Sequence, residues 1–356
     1  MAVLKLYRDK LRHNYNFLQE LFKEHGIDWG VVTKLLCGNK IFLKEVLNLG
    51  VREVHDSRIS NLKSIKELDP TVQTVYIKPA PPKAIPKIIR YADVSFQTEF
   101  ETMRLLSEEA IRQGRQHKVI IMIELGDLRE GVMGDDLVDF YARVFDLPNI
   151  EVIGIGANLN CLHGVMPSTD KLIQLSLYKQ LIEAKFNRVV PWVSGGTSVT
   201  IPLLFRKQLP KGINHFRVGE TLYFGADLFS GETIPGMEAS VFELEAEIIE
   251  VTEKPMAPIG EMQANPSGET TTIKEDWYGQ TTFRAIVDIG LLDINPKFMK
   301  PKNQDLKLIG ASSDMLILDL DTNDFNLKVG DTISFDLTYM GALGILNSQY
   351  ITKKVV

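Results

Sequence analysis

The chain has 356 residues, enough for one large domain and a smaller one, and 44% of them are hydrophobic. Its net charge of -6, with basic and acidic residues interleaved, argues against nucleic-acid binding, and no apolar run is long enough to span a bilayer. The two cysteines, Cys37 and Cys161, give neither a disulfide framework nor a zinc motif. The first residues lead directly into a charged helix, so we expect no signal peptide. These features predict a cytoplasmic protein with reduced thiols and no metal site.

The predicted elements begin with a helix over residues 9–25, where apolar residues recur at helical spacing before Gly26. From there to about residue 225, short apolar runs alternate with amphipathic helical stretches. Several runs are apolar at successive positions, as strands buried on both faces require. The predicted strands are residues 29–34, 51–56, 72–78, 93–97, 118–125, 152–159, 189–194 and 214–218. This alternation predicts a closed parallel (β/α)8 barrel of the TIM type.

After about residue 235 the pattern changes. Residues 242–248 alternate strictly between apolar and polar, which predicts a strand with one wet face. Further strands are predicted at residues 285–289, 306–309, 315–320 and 332–338. Residues 255–282 are polar and rich in turn formers, which indicates a long loop or an irregular hairpin. We therefore predict a barrel over residues 1–235 and an all-β domain, almost without helix, over residues 236–356.

Lys34 ends the first predicted strand and is followed directly by Leu35 and Leu36. We expect its amine to lie in a largely dry pocket, where desolvation favours the neutral form that condenses with an aldehyde. In parallel barrels the catalytic groups lie at the C-terminal ends of the strands. The later strand ends carry further candidates, namely Arg129, Asn158, Cys161, Ser194, Gly195, Gly196, Thr197, Arg217, Gly219 and Glu220.

The ends of the last two predicted strands match the phosphate site that this fold tends to build there. Their glycines let backbone N–H groups approach an anion closely, and hydroxyl groups add donors. A lysine and a phosphate site would then face each other across the barrel mouth, with the guanidinium of Arg217 directed toward a ring nitrogen between them. An aldehyde, a pyridine nitrogen and a phosphate are the parts of pyridoxal phosphate (PLP), which is the predicted cofactor.

Four segments resemble signatures of the alanine racemase-like PLP enzymes of fold type III. They are Leu11-Arg12-His13-Asn14, Val31-Val32-Thr33-Lys34, Phe216-Arg217-Val218-Gly219 and Ser313-Asp314-Met315. Within that family the chain is most similar to the ornithine racemase-type branch, in residues 126–131, 193–196 and 310–314. The resemblance implies a PLP-dependent amino-acid racemase, an isomerase, acting on ornithine or a similar basic amino acid. It also implies a homodimer in which the β domain of one subunit closes the barrel mouth of its partner.

The resemblance also implies roles for individual residues. Lys34 would hold the cofactor covalently and act as one of two acid/base groups. Arg217 would contact the pyridine nitrogen, and Arg129 the cofactor's phenolic oxygen or the substrate carboxylate. Asn158 stands where alanine racemases have a histidine that supports the pyridine-binding arginine. The implied phosphate ligands are Ser194, Gly195, Gly196, Thr197, Tyr339 and the backbone amides of Gly219 and Glu220.

The chain departs from the family at two positions. The segment that carries the family's second catalytic base, a tyrosine, reads Gly290-Leu291-Leu292-Asp293-Ile294 here, and Gly38 replaces a phosphate-binding tyrosine. A two-base racemase needs an acid/base group on the face opposite the lysine. The candidates for that group are Cys161, His163, Cys37 and Tyr339. The candidate acids for the terminal ammonium of a basic substrate are Glu124, Asp127, Asp293, Asp314, Glu275 and Asp276.

Three rival interpretations remain open at this point. The protein could be an alanine or broad-specificity racemase, a PLP-dependent decarboxylase or aldolase of the same fold, or a non-enzymatic PLP carrier. Arg217 argues against a decarboxylase, since decarboxylases of the family place an acid at the ring nitrogen. An aldolase of this fold would want a metal site, for which no His/Cys pair has suitable spacing. Carriers are single barrels, so the additional β domain argues against a carrier.

Overall fold

The computed structural model describes residues 2–264, 268 and 270–356. The chain forms two compact units, one spanning Tyr7–Val241 and the other combining the N-terminal strand with Phe242–Val356. The first residues were predicted to belong to the barrel, but β1 (Val3–Leu6) pairs with strands of the second unit. Its alternating residues Leu4 and Leu6 are fully buried, and the hydrogen bonds that select this partner sheet are not visible in a four-residue pattern.

The first unit is a (β/α)8 barrel, which confirms the predicted fold class. Its strands are β2 (Asp28–Val32), β3 (Glu53–Asp56), β4 (Gln73–Tyr76), β5 (Val94–Gln97), β6 (His117–Met122), β7 (Ile150–Gly156), β8 (Trp192–Ser194), β9 (Gly196–Thr197) and β10 (His215–Val218). The connecting helices are α1 (Arg8–Glu24), α2 (Lys40–Leu47), α3 (Ile59–Leu68), α4 (Ile85–Tyr91), α5 (Phe100–Arg112), α6 (Leu137–Phe145), α7 (Thr169–Phe186), α8 (Ile201–Phe205) and α9 (Glu220–Phe224). Among the described residues, no helix is both long and apolar enough to cross a bilayer.

The barrel sheet is parallel, with the order β8-β7-β6-β5-β4-β3-β2-β10-β9. The short strands β8 and β9 share one position of the ring, and β10 lies against both of them. Neighbouring strands in the ring are consecutive in the sequence, as right-handed β-α-β connections produce. The C-terminal ends of all strands therefore meet at one mouth, where the predicted site residues were expected.

The second unit is built on one mainly antiparallel sheet, as predicted. Its strands besides β1 are β11 (Phe242–Pro255), β12 (Thr281–Val287), β13 (Met299–Pro301), β14 (Lys307–Ala311), β15 (Leu316–Asp321), β16 (Thr332–Leu337) and β17 (Thr352–Val355), in the order β13-β16-β11-β12-β15-β14 with β1 pairing β11 and β17. Within the predicted long loop, residues 265–267 and 269 lie outside the described residues.

One helix of this unit, α10 (Tyr339–Asn347), has no counterpart in the sequence prediction. Its apolar run contains Gly341 and Gly344, which lower helix propensity and hide the pattern. Gly341 is needed because a Cβ there would lie 2.4 Å from the carbonyl oxygen of Phe298. Tertiary packing thus overrides local propensity at this helix.

Candidate active site

Lys34 lies directly after β2 and opens a short 3-10 turn, Lys34–Leu36. The preceding residue, Thr33, is fixed to β3, since its backbone N–H donates to the His55 carbonyl at 2.9 Å and its hydroxyl to Asp56 at 3.0 Å. Thr33 and Leu35 are buried, but the Lys34 side chain is exposed. This differs from the dry pocket that the sequence predicts. The reason is that Lys34 sits past the end of the strand, where the barrel unit opens to solvent.

The turn after Lys34 is held by a buried acid, Asp56. Burial raises the pKa of its carboxyl, although hydrogen bonds from the Arg58 amide, Asn61 and Thr33 oppose that shift. Asn61 in turn packs against Gly38, where a Cβ would lie only 2.6 Å from the Asn61 amide oxygen. The family's tyrosine therefore cannot be accommodated at position 38 without displacing Asn61.

Arg217 lies on β10 and is only 5% exposed. Its Nη1 donates to the carbonyl and hydroxyl oxygens of Ser194 at 2.5 and 2.7 Å, and its Nη2 donates to the Ala157 carbonyl at 2.8 Å and to Asn158 at 3.3 Å. Burial lowers the pKa of the guanidinium to about 10, which leaves it charged at neutral pH. Of its five N–H groups, the one on Nε has no hydrogen-bond acceptor in the described part of the chain. That group is free to donate to a ligand.

A chain of hydrogen bonds continues from Arg217 into the barrel interior. The Ser194 hydroxyl, which accepts from Arg217, also lies 2.6 Å from Nδ1 of His215. Because a carboxylate can only accept, Nε2 of His215 donates to Glu53 at 2.8 Å. His55 donates to the same carboxylate oxygen from Nε2 at 2.5 Å. A buried cation is thus connected to a buried carboxylate through Ser194 and His215.

The contacts of Glu53 and His55 in this hydrogen-bond network determine their charge states. Burial would raise the pKa of the Glu53 carboxyl, but the two imidazoles hold it below its usual range. Desolvation lowers the pKa of His55, whose buried Nδ1 has no hydrogen-bond partner among the described residues, so this ring is neutral. Glu53, His55 and His215 are residue types that can also bind a metal. Two ligands of one zinc ion, each bonded at ~2.0–2.1 Å, stand more than ~3 Å apart. The Nε2–Oε1 distances here are 2.5 and 2.8 Å, which are those of hydrogen bonds.

Glu53, His55 and His215 are not among the site residues predicted from the sequence. The available signal was a pair of polar residues two positions apart within a buried strand, as in Glu53/His55 and His215/Arg217. Such residues point to the same face, and in a barrel strand covered by helices a shared polar face is the interior. Gly30 on the neighbouring strand leaves room for this cluster, since a Cβ there would lie 2.3 Å from Nε2 of His55.

The predicted phosphate turn is assembled from the ends of β8, β9 and β10. Gly196 and Thr197 pair with Phe216 and Arg217, and a Cβ on Gly196 would lie 2.1 Å from the Phe216 ring. The Ser198 hydroxyl accepts from the backbone amides of Gly219 at 3.3 Å and Thr221 at 3.2 Å, which joins the two strand ends.

Ser194 does not have the position predicted for it. Its hydroxyl was expected to bind phosphate, but it is fully buried and occupied by Arg217 and His215. The side chain points into the barrel because it belongs to the end of strand β8, where alternate residues face inward. Gly195 faces the opposite side, toward helix α7, where a Cβ would lie 3.0–3.2 Å from Ile213, Leu175 and Leu172.

Arg129 and Asn158 are brought together by Glu130. Its Oε1 accepts from Arg129 at 3.0 Å and from the Asn158 amide nitrogen at 3.1 Å. Since the nitrogen of Asn158 faces Glu130, its amide oxygen faces Arg217. The mouth therefore contains two arginines joined through one carboxylate and one amide.

The remaining candidates divide between the two units. Cys161 and His163 are exposed on the loop after β7, while Cys37 is half-buried in the left-handed conformation with φ 50°. Burial raises the pKa of Glu220, and the charge of Lys34 opposes that shift, so these two side chains lie within electrostatic range. Tyr339 lies at the start of α10 in the second unit.

The candidate acids for a substrate ammonium also fall into two groups. Glu124 and Asp127, on the barrel, are used by backbone amides of loops. Asp293, in the second unit, accepts from Ser348 at 2.8 Å. The acids Glu275, Asp276 and Asp314 are exposed. None of these six is placed within the hydrogen-bond network of Arg217 in the described residues.

The fold and this site are those of a known protein family. Residues 6–227 match the family model described as "Alanine racemase, N-terminal domain", and the chain belongs to this family. It is 36% identical over 349 residues to the ornithine racemase of Acetoanaerobium sticklandii, covering 98% of each chain. It is 27% identical over 344 residues to the lysine racemase of Thermotoga maritima, covering 97% of this chain and 95% of that protein.

Solved structures show the same fold. The alanine racemase of Clostridium difficile 630 superimposes with a TM-score of 0.76 at 16% identity, covering 100% of this chain and 95% of that one. The Bartonella henselae alanine racemase, whose structure is described as having covalently bound pyridoxal phosphate, gives a TM-score of 0.76 at 16% identity, with 100% and 99% coverage. The resemblance seen in the sequence is confirmed.

Proposed function

We propose that the protein is a PLP-dependent amino-acid racemase that acts on ornithine or a similar basic amino acid. The observation that carries this proposal is the geometry of Arg217. Its charged guanidinium is fixed by four hydrogen bonds and keeps one N–H for a ligand. Family membership and the names of two nearly full-length relatives, an ornithine racemase and a lysine racemase, support the reaction and the substrate class.

The residues at the mouth fit this cofactor. An exposed amine on Lys34 is available to an aldehyde, the free N–H of Arg217 suits a ring nitrogen, and the β9–β10 turn offers backbone amides and the Thr197 hydroxyl to a phosphate. Within that turn, the proposed backbone contacts are Gly195, Gly196, Glu220 and Gly219, whose N–H would exchange its 3.3 Å hydrogen bond to Ser198 for one to the phosphate. The hydroxyl of Ser194 is excluded from that role because the interior network occupies it.

Bound PLP supplies an electron sink for the α-carbon of the amino acid. Lys34 holds the cofactor and moves the α-proton at one face. Because a guanidinium keeps its protons, Arg217 can donate a hydrogen bond to the ring nitrogen but cannot protonate it. This favours prompt return of the proton to the α-carbon over side reactions such as transamination. Arg129 binds the phenolic oxygen or the substrate carboxylate, and Asn158 supports Arg217.

The acid/base group on the opposite face is proposed to be Cys161 or His163. Nδ1 of His163 lies 2.9 Å from the Asp127 carbonyl, and a carbonyl can only accept. The imidazole therefore carries its proton on Nδ1, which leaves Nε2 as a base. Tyr339 is proposed as a phosphate contact, and the active enzyme as a cytoplasmic homodimer with its sites near the subunit interface.

The test is Lys34→Ala. Lys40→Ala is the control, because Lys40 is also an exposed lysine and lies close to Lys34 in the sequence. We expect the first variant to lose the visible absorbance of the bound cofactor, borohydride labelling and racemisation of ornithine, since the covalent contact is gone. The control should retain all three. Racemase activity retained in Lys34→Ala would refute the assignment, and release of carbon dioxide by the wild-type enzyme would favour a decarboxylase.

A further inference from the structure

The loop after β6 contains a buried acid that the proposed mechanism does not use. Asp127 is 0% exposed although it lies on a loop at the barrel mouth. One carboxylate oxygen accepts from the backbone amides of Cys161 and Leu162, both at 2.9 Å, and the other from those of His163 at 3.1 Å and Val165 at 3.2 Å. The side chain thus binds four backbone amides of a different loop, the one after β7.

Both carboxylate oxygens of Asp127 are fully used by hydrogen bonds. Burial alone would raise the pKa of Asp127, but the backbone amides outweigh it and hold the pKa below its usual value. The carbonyl oxygen of the same residue also accepts from His163. A fully satisfied carboxylate has no oxygen left for a substrate ammonium, so Asp127 is not the specificity residue considered in the sequence analysis.

The loop that carries Asp127 is itself cross-linked by hydrogen bonds. Glu124, at its start, accepts from the backbone amides of Leu128 at 3.0 Å and Arg129 at 3.2 Å, and also from that of Gly126. Lys171 donates to the Leu125 carbonyl at 2.7 Å. Glu124 therefore holds the loop of Arg129 in shape, and Asp127 connects this loop to the one that carries Cys161 and His163.

The loops after β6 and β7, which Asp127 connects, have a particular position relative to Lys34. Along the sheet order β2-β3-β4-β5-β6, the strand that leads into Asp127 is the farthest from the strand that leads into Lys34. The loops after β6 and β7 thus lie across the mouth from the lysine. Within the barrel unit, an acid/base group that acts opposite Lys34 has to come from these loops.

We propose that Asp127 is a positioning residue for proton transfer: through its four backbone contacts it holds the Cys161–Val165 segment, with its acid/base group, across the mouth from Lys34. This inference rests on the proposed function. It makes a prediction that a purely structural role does not, because Lys34 is attached to β2 and is independent of Asp127. Loss of the carboxylate should impair proton transfer at one face and spare the other.

The test is Asp127→Asn, which keeps the size of the side chain but replaces one acceptor by a donor. Asp135→Asn, an exposed acid eight residues further along, is the control. In holoenzyme with each enantiomer of ornithine in heavy water, racemisation by the variant should fall by about a hundredfold, within the range that positioned acid/base groups contribute. Exchange of the α-proton without inversion should fall much less for the enantiomer whose proton faces Lys34.

A second measurement is independent of activity. In cofactor-free protein, amide hydrogen exchange over residues 161–165 should accelerate by about tenfold or more in Asp127→Asn and be unchanged in the control, since opening of a local segment governs its exchange. Equal losses of exchange and inversion, or unaltered amide protection, would overturn the proposal. If Asp127→Asn does not fold, Asp127→Glu, which keeps the charge and shifts its position, takes its place. Wild-type enzyme that does not racemise basic amino acids would refute the proposed function, while the amide measurement would still report on the loop.

Discussion

The two sides of the barrel interior differ sharply in chemistry. On strands β4 to β7 the core is an apolar cluster of Val75, Val94, Phe96, Ile120, Met122 and Ile153. On strands β3, β8 and β10 the buried residues include Glu53, His55, Ser194, His215 and Arg217. Phe96 lies at the border, with the Arg217 guanidinium 5.3 Å from its ring centre and the His55 ring in an edge contact.

This contrast shows how a barrel core can stabilise the fold and position a charge at the same time. The apolar side excludes water, which strengthens hydrogen bonds nearby and makes any unpaired polar group costly. The polar side connects its groups in one network, from Arg217 through Ser194 and His215 to Glu53. The apolar side therefore makes the polar side both strong and intolerant of change.

The largest expected effect comes from Glu53→Leu. It removes the acceptor of His55, His215 and Gln73 and leaves Arg217 without its buried counter-charge. We expect a loss of about 3–5 kcal/mol of unfolding free energy, the cost of breaking a buried charged network. Urea denaturation measures this. Glu53→Gln, whose amide oxygen can still accept from the imidazoles, should lose clearly less, and equal losses would show that the hydrogen-bond acceptor adds nothing beyond the charge.

The next effect depends on pH. Burial lowers the pKa of His117, at the start of β6, to about 4 from an ordinary value of 6.5. Between these values the unfolded chain binds a proton that the folded protein does not, so stability falls as pH is lowered from about 6.5 toward 4. At one pKa unit per ~1.4 kcal/mol, this group accounts for roughly 3 kcal/mol near pH 4.

His117→Gln should make the unfolding free energy flatter across this pH window, measured by denaturation at a series of pH values. The Ser95 hydroxyl, 2.7 Å from Nε2 of His117, can bond to the new amide. His55, whose pKa is also lowered by burial, contributes in the same direction. An unchanged slope in the variant would mean that His117 is protonated in the folded state.

The smallest expected effect lies on the apolar side. Ile120→Val removes one methylene from a fully buried side chain of the apolar cluster. We expect a loss of about 1 kcal/mol of unfolding free energy, typical of this truncation, and little change in racemase activity. A loss comparable to that of Glu53→Leu would erase the distinction between the two sides.

Much of this protein follows from its sequence. The barrel strands and helix α1 were predicted because short apolar runs and period-3.6 patterns are local properties of the chain. Lys34, Arg129, Asn158 and Arg217 could be named because each follows or ends a recognisable strand. The β character of the second unit was equally visible in the alternation of β11.

Only the tertiary structure decided which groups meet. Glu53 and His215 are 162 residues apart in the chain yet share a hydrogen bond, and β1 joins a sheet formed by the other end of the chain. The exposure of Lys34 and the inward direction of the Ser194 hydroxyl depend on where a strand ends and which face a residue occupies. The physical reason is that propensity and periodicity act over a few residues, whereas hydrogen-bond partners and burial are set by strand register between segments distant in sequence.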